Sequence, residues 1–340
     1  MKTYLYHLEF PLGAHFGRQG IGLEETQESL PSDSLTSALL NAFALMGEVS
    51  EALMALQEEN PPFVLSSLFP YGPDPNNGAR RLYALPRPMT SPLMTKTEDL
   101  QRAGKELKKI RYLDPRHVLS WLGNRPMTSE ALEEIQKSAR RLARPWNADT
   151  GEGWFSTCLR PRVALDRSSQ NSVLWWCGVI HFRPGAGLYG LVRFRDESWK
   201  SRLHAAFALL EDMGLGGERT YGLGTFRFHG FVPLEEAWPN VPVTHESAQF
   251  VLLSRYAPAA HEVPELSAVL KAWDFEESRG FVVTGRYATT LKRKRVHFLK
   301  EGTVATRSLL GRLVDVTPDQ GPDLGLSHRV YRSGMGFWFP

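Results

Sequence analysis

Between residues 199 and 224 a helical stripe runs straight into a cluster of glycines. Leu203, Ala206, Phe207 and Leu210 recur at the three- and four-residue spacing of one helix face. Gly214 follows, the residue type that tolerates the left-handed position just past a helix end. The run Gly214-Leu-Gly-Gly-Glu-Arg-Thr-Tyr-Gly-Leu-Gly224 holds five glycines in eleven residues and leads into strand character over Thr225–Val232. A loop that leaves a helix and enters a strand is neither a Rossmann turn nor a P-loop, because both of those open a helix. Its glycines permit positive φ and close backbone approach, so successive N–H groups can turn toward a phosphate; equally, they suit a tight helix-to-strand turn. Arg219 supplies a fork for bidentate phosphate contact, and Tyr221 a ring on which a base can stack.

The elements around this loop set its context. Alternation predicts a first strand over Thr3–Phe10. Pro31-Ser32-Asp33 starts a helix, with Ser32 or Asp33 as N-cap, and Leu35, Ala38, Leu39, Ala42, Phe43 and Met46 form its stripe. Pro61–Pro92 is dense in Pro, Gly and Asn and reads as loop with one short strand; helices are expected near Leu100–Leu113 and Ser129–Ala143. The span from Pro73 to Trp154 reads as an insertion whose apolar content is too low for a core of its own. Strand character returns at Val173–Phe182 and Leu188–Arg195 as a pair, then a helix at Trp199–Met213. The order strand–helix–insert–strand–strand–helix–strand is the ferredoxin-like βαββαβ plan shared with RNA-recognition modules. After a proline-bearing linker at Pro233–Val243, strands are predicted at Phe250–Tyr256, Phe281–Ala288, Val296–Lys300 and Val330–Phe339, with a short helix at Val263–Trp273. The fold class read from this is α+β, with two ferredoxin-like (RRM-like) βαββαβ domains. The first spans 1–235 and carries the glycine loop and an insertion and thumb near 73–172; the second, 236–340, is degenerate.

At 340 residues, two domains are the ordinary expectation, and 42% hydrophobic content excludes whole-chain disorder. The net charge of +3 announces little, but its distribution is uneven. Gln19–Ala79 has nine acids and no Lys or Arg, Phe155–Arg195 has six arginines to one acid, and Leu291–Arg312 has seven basic residues to one acid. Cys158 and Cys177 are too few for a zinc ribbon or disulfide framework, which suits a cytoplasmic protein. No run of 18 apolar residues occurs, so neither secretion nor membrane insertion is expected. No metal is expected either: HxH, HxxxH and paired-Cys spacings are missing, as are a two-metal carboxylate cluster and a nucleophile elbow.

The run from Gly214 to Phe226 resembles the glycine-rich loop of the RAMP proteins, the repeat-associated RNA-binding subunits of CRISPR systems. Pro31-Ser-Asp-Ser-Leu-Thr-Ser-Ala-Leu-Leu40 resembles the start of that family's first helix. Arg160-Pro-Arg-Val-Ala-Leu-Asp-Arg167, leading toward Gly185-Ala-Gly-Leu-Tyr-Gly190, resembles its arginine-bearing thumb. The tail, from Arg293-Lys-Arg-Val-His-Phe through Gly302 to Val330-Tyr-Arg-Ser-Gly334, is similar to the closing strands of the fourth subunit of type III-A (Csm) effector complexes. The resemblance implies a non-catalytic subunit without cofactors. It would bind and cap the 5′ handle of crRNA, contact the large polymerase-like subunit and dock on the backbone subunit.

The RNA-binding candidates are therefore His15, Phe16, Gly17 and Arg18; Ser34; Arg160, Arg162 and Arg167; Gly214, Gly216, Gly217, Glu218, Arg219, Thr220, Tyr221 and Gly222; and Arg293, Lys294 and Arg295. Arg160, Arg162 and Arg167 stand near Trp154 and Phe155, an interleaving that suits a single strand with unstacked bases, though an exposed edge with Asp166 paired to one arginine is the plainer alternative. The basic run from Lys292 also suits a solvated hairpin tip. Histidine as a residue type can act as acid or base near neutral pH, so His15 opens a second reading, a metal-independent RAMP endoribonuclease that processes precursor crRNA, but no second acid or base accompanies it. A third reading is an architectural adaptor, for which the glycine loop has no use.

Overall fold

The alternation of Tyr4, Tyr6 and Leu8 with Leu5 and His7 builds β1 (Lys2–Glu9), and because both of its faces are covered every residue from Tyr4 to Leu8 is buried. The computed structural model describes residues 1–340 apart from 18–21, 148, 151, 167, 169–170, 242–248, 284–289 and 324. It is a mixed α/β fold built on antiparallel sheets. Helix α1 (Ser32–Leu45) buries Leu35, Leu39, Ala42 and Phe43 as the stripe predicts. Its N-cap is Pro31, not Ser32 or Asp33, and the Ser32 N–H donates to Ser67 Oγ at 2.9 Å. A second helix, α2 (Val49–Gln57), was not expected.

Residues 61–92 depart furthest from the expected loop. They form β2 (Phe63–Leu65), β3 (Phe69–Asp74), β4 (Asn77–Tyr83) and β5 (Leu85–Pro86). The residues that read as loop have a packing reason. A Cβ on Gly72 would meet the Trp154 ring, whose Nε1 donates to the Pro73 carbonyl at 3.2 Å. The insertion therefore begins after β4, since β3 and β4 belong to the main sheet. It contains α3 (Thr97–Lys109), β6 (Tyr112–Leu113), α4 (Pro115–Leu122) and α5 (Ser129–Ala139). Leu107, Leu113, Val118, Trp121, Leu132 and Ile135 join the apolar cluster of the main sheet, so the insertion borrows that core.

Strands β7 (Phe155–Leu165) and β8 (Ser172–Phe182) pair in unbroken register from Phe155↔Phe182 to Leu165↔Ser172. The expected partner of β8 was the next strand, but β9 (Gly187–Phe194) lies in the main sheet between β1 and β3. Helix α6 (Trp199–Met213) has the predicted limits, and Gly214 at its end has φ +76°. The predicted strand at Thr225–Val232 is split into β10 (Arg227–Phe228) and β11 (Val232–Pro233) around Gly230, with φ +77°. The sheet runs β10–β1–β9–β3–β4, with β11 also on β1 and β2 also on β9.

The remaining strands are short. They begin with β12 (Phe250–Leu252), β13 (Leu270–Ala272), β14 (Phe275–Ser278), β15 (Phe281–Val283) and β16 (Thr290–Lys292). There follow β17 (Val296–Leu299), β18 (Val304–Ala305), β19 (Gly311–Asp315), β20 (Tyr331–Met335) and β21 (Trp338–Phe339). A four-stranded sheet runs β13–β18–β12–β21, beside ladders β14–β17, β15–β16 and β19–β20. The helix expected at Val263–Trp273 is one turn, Leu266–Val269, running into β13. Val251, Leu253, Val304, Met335, Phe337 and Phe339 belong to the same apolar cluster as β1 and β9, so the core crosses residue 235 without a gap.

Candidate nucleic-acid interface

The glycine loop is a lock before it is a cradle. Gly214, Gly216, Gly222 and Gly224 have positive φ, and Glu218 adopts the left-handed region at φ +56°. The Gly214 N–H caps α6 on the Leu210 carbonyl, Leu215 donates to Gly224, Gly217 to His15 and Gly224 to Gly13, all at 2.8–2.9 Å. The N–H groups of Tyr221 and Gly222 close the short turn Arg219–Tyr221 onto Glu218 and Arg219. Six loop N–H groups are thus spent on protein carbonyls, which removes most of the expected amide cradle. What the loop presents is its tip, where Arg219 and Thr220 are exposed and the Tyr221 ring is 59% exposed.

His15 holds this lock. It is 4% exposed, its Nδ1 lies 2.7 Å from the Gly178 carbonyl on β8, and its own carbonyl takes the Gly217 N–H. The ring also fills the space that a Cβ on Gly17 or Gly217 would need, 2.7 Å away in each case. The contact with a backbone carbonyl makes Nδ1 the protonated nitrogen, so the residue is a bracket between hairpin and loop. Phe16 is core as well, 2% exposed and edge-on to Phe10 at 5.5 Å. Gly17 is exposed; Arg18 and Arg167 lie outside the described residues.

The β7–β8 hairpin has two unlike faces. Arg160, Arg162, Trp175 and Cys177 share one, and the Arg162 guanidinium stands 4.1 Å from the Tyr221 ring centroid and 3.6 Å from the Glu218 carboxylate. Leu159, Val163, Leu165 and Leu174 share the other and are exposed. Burial, helped by Arg160, pushes His181 below its ordinary pKa, which disfavours a second charge on the ring beside the Arg160 guanidinium. Arg162 thus ties the hairpin to the loop tip with a cation stacked on an exposed ring, an arrangement that suits stacking of a base alongside.

Beside the tip opens a cleft of about 760 Å³, lined on one side by Gly17, Ser34, Ser37, Gly216, Gly217 and Arg219. The other side comes from the last hundred residues: Arg255, Arg279, Arg293 and Arg332 with Glu276 and Glu277. The two sides are sewn together. Arg332 Nη1 reaches the Asp33 carbonyl at 3.2 Å and its carboxylate at 3.5 Å, Ser278 Oγ donates to the same carboxylate, and the Arg255 N–H donates to Ser32 Oγ at 2.8 Å. Of the run at 293–295, Arg293 turns into the cleft; Lys294 pairs with Asp319 at 2.6 Å, and Arg295 lies 3.7 Å from Glu277 on the surface. Ser34 joins the cleft through its hydroxyl, 3.4 Å from Arg332 Nη1. Arg255, Arg279 and Arg332 were not among the sequence candidates; the only signals near them were the basic run at Lys292 and the segment Val330-Tyr-Arg-Ser-Gly334.

Residues 245–340, which supply that second wall, match the family described as the CRISPR Csm4 C-terminal domain. The whole chain is also similar to the "CRISPR system Cms protein Csm4" of Thermococcus onnurineus (strain NA1), 28% identical over 319 residues, or 90% of this chain and 89% of that one. Residues 245–340 thus carry the Csm4 C-terminal domain, and over most of its length the chain is similar to Csm4 proteins. A Csm4 from Methanocaldococcus jannaschii is 22% identical over 366 residues, covering 96% of this chain and 94% of its own. Among solved structures, a chain of the Csm3–Csm4 subcomplex of the type III-A CRISPR-Cas interference complex covers 100% of this chain and 99% of its own, with TM-score 0.60 and 18% identity. A chain of the Csm1–Csm4 cassette in complex with cA4 covers 99% and 97%, with TM-score 0.55 and 20% identity. These two share the fold.

Proposed function

We propose that the chain is a non-catalytic subunit of a type III-A CRISPR effector complex that holds the 5′ handle of crRNA between the glycine-loop tip and the hairpin. The observation that carries this is the Arg162–Tyr221 stack, 4.1 Å from guanidinium to ring centroid, two residues along the loop from Arg219, which lines the arginine-bearing cleft. Exposed Arg219 adds a charge-assisted phosphate contact, and phosphate contacts set the register while splayed bases are read directly. The strand order β10–β1–β9–β3, with α1 and α6 packed together, supports reading the first part of the chain as a ferredoxin-like unit. The printed descriptions of the relatives, a Csm1–Csm4 cassette and a Csm3–Csm4 subcomplex, support a large subunit and a backbone subunit as partners. His15 supports a binding role over a nuclease, since its ring is enclosed and fixed on a backbone carbonyl. The test is a titration of the purified chain with repeat-derived RNA at physiological salt, with product analysis. Binding without cleavage, weakened about tenfold in Arg219→Ala, is the expected result. A cut that vanishes in His15→Ala refutes it.

A further inference from the structure

The floor of the cleft carries a positive charge that the chain itself does not balance. Arg293 is 8% exposed; its Nη2 donates to the Arg279 carbonyl, and its Nε has no partner among the described residues. The acids nearby are already engaged. Asp33 is held by Arg332 and the Ser278 hydroxyl, Glu276 and Glu301 by Arg255, and Glu277 by Arg279 and Arg295. Arg332 keeps its Nε unpartnered too, and so does Nη1 of Arg255. Burial first, and then repulsion from Arg332, push the pKa of Arg293 down to about 10, against a pull from Asp33. A buried guanidinium that forms no ion pair with a carboxylate and leaves its Nε without an acceptor is unfavourable unless an anion completes it. The first turn of α1 lines the same cleft, with its Asp33 carboxylate taken up by Arg332 and the Ser278 hydroxyl and its Ser32 N–H by Ser67 Oγ, so it supplies no spare acid for Arg293.

We propose that Arg293, with Arg332 and the first turn of α1 lining the same cleft, forms a phosphate subsite that takes one phosphate group of the bound RNA strand. The group is either an internal phosphodiester or the strand's 5′-terminal phosphate. The proposal rests on the RNA-binding reading above and adds a position to it: the strand descends to the cleft floor and does not stay on the exposed tip. Arg293's planar fork and weak hydration suit such a contact better than an ammonium would.

The test compares the full chain with its Arg293→Met variant, using repeat-derived RNA with a 5′ hydroxyl or a 5′ phosphate across a salt series. The variant is expected to bind about tenfold more weakly. Its plot of log affinity against log salt is expected to be shallower by about 0.7, the loss of one phosphate contact on a single strand. If the terminal phosphate is the occupant, the parent protein prefers the 5′-phosphorylated RNA and the variant does not discriminate. If a phosphodiester is the occupant, each protein binds the two RNAs alike, and the variant shows only the lower affinity and the shallower slope. Equal affinity and equal slope in a variant that melts normally overturn the proposal. Should Arg293→Met not fold, Arg293→Gln, which can still donate to the Arg279 carbonyl, takes its place. Pyrophosphate separates this proposal from the RNA reading. If no RNA binds yet pyrophosphate raises the melting temperature of the parent and not of the variant, the subsite stands and the RNA reading falls. If no RNA binds and neither protein responds to pyrophosphate, both fall.

Discussion

The glycine loop and the arginine wall border one cleft and have opposite hydrogen-bond balances. In the loop, six N–H groups already donate to protein carbonyls, and His15 fills the space between the strands. In the wall the balance is the reverse: Arg255, Arg293 and Arg332 each keep a nitrogen without a partner among the described residues. A loop whose backbone is already bonded to the protein does not need an anion to hold its shape, whereas an under-satisfied wall gains stability when an anion arrives. The loop therefore positions, and the wall responds.

The sharpest way to break this contrast is at Gly224, where a side chain would collide with the Leu215 carbonyl and φ is +80°. Gly224→Val is expected to cost about 4 kcal/mol, the sum of left-handed backbone strain and overpacking, read from urea unfolding. An unchanged midpoint would mean that the loop repacks freely and is no scaffold. Next comes the seam. Asp33→Ala leaves Arg332 buried without its carboxylate, and a loss of about 3 kcal/mol is expected, partly recovered in Asp33→Ala/Arg332→Met. No recovery in the double variant would show that Asp33 acts through the helix end and not through the ion pair. His15→Ala is expected to cost about 2 kcal/mol in the same assay while leaving guide maturation intact. The smallest effect on folding belongs to the tip: Tyr221→Ala should change stability by less than about 0.5 kcal/mol. It should still weaken RNA binding by about 1–2 kcal/mol in a filter assay. If Tyr221→Ala instead unfolds the chain, the tip is part of the lock.

Local signals carried the sequence reading as far as they reach. Helix Trp199–Met213, its glycine stop and strand β1 are legible because their periodicity and caps lie within a few residues. Strand β3 was not, because Pro70, Gly72 and Pro73 read as breakers until Trp154, some eighty residues on, is seen lying across Gly72. The candidate site divides in the same way. Arg219 and Tyr221 announce themselves beside the glycines, while Arg255 and Arg332 gain meaning only from Ser32 and Asp33, partners that no local pattern connects to them. Phe16 and His15 were legible as a motif but not in their burial, which depends on β8 and the loop closing over them.

That seam has a consequence in time. Asp33 meets Arg332 across a sequence separation of 299 residues, and Ser32 meets Arg255 across 223. At a ribosomal pace of about 5–20 residues per second, α1 waits roughly 15–60 s for the arginine that completes its surroundings. During that interval the glycine loop can already be locked, but the cleft has no second wall. A nascent chain has the loop tip before it has the wall that faces it across the cleft. Closure of the cleft from both sides therefore waits until residue 332 has been made and has folded back onto α1.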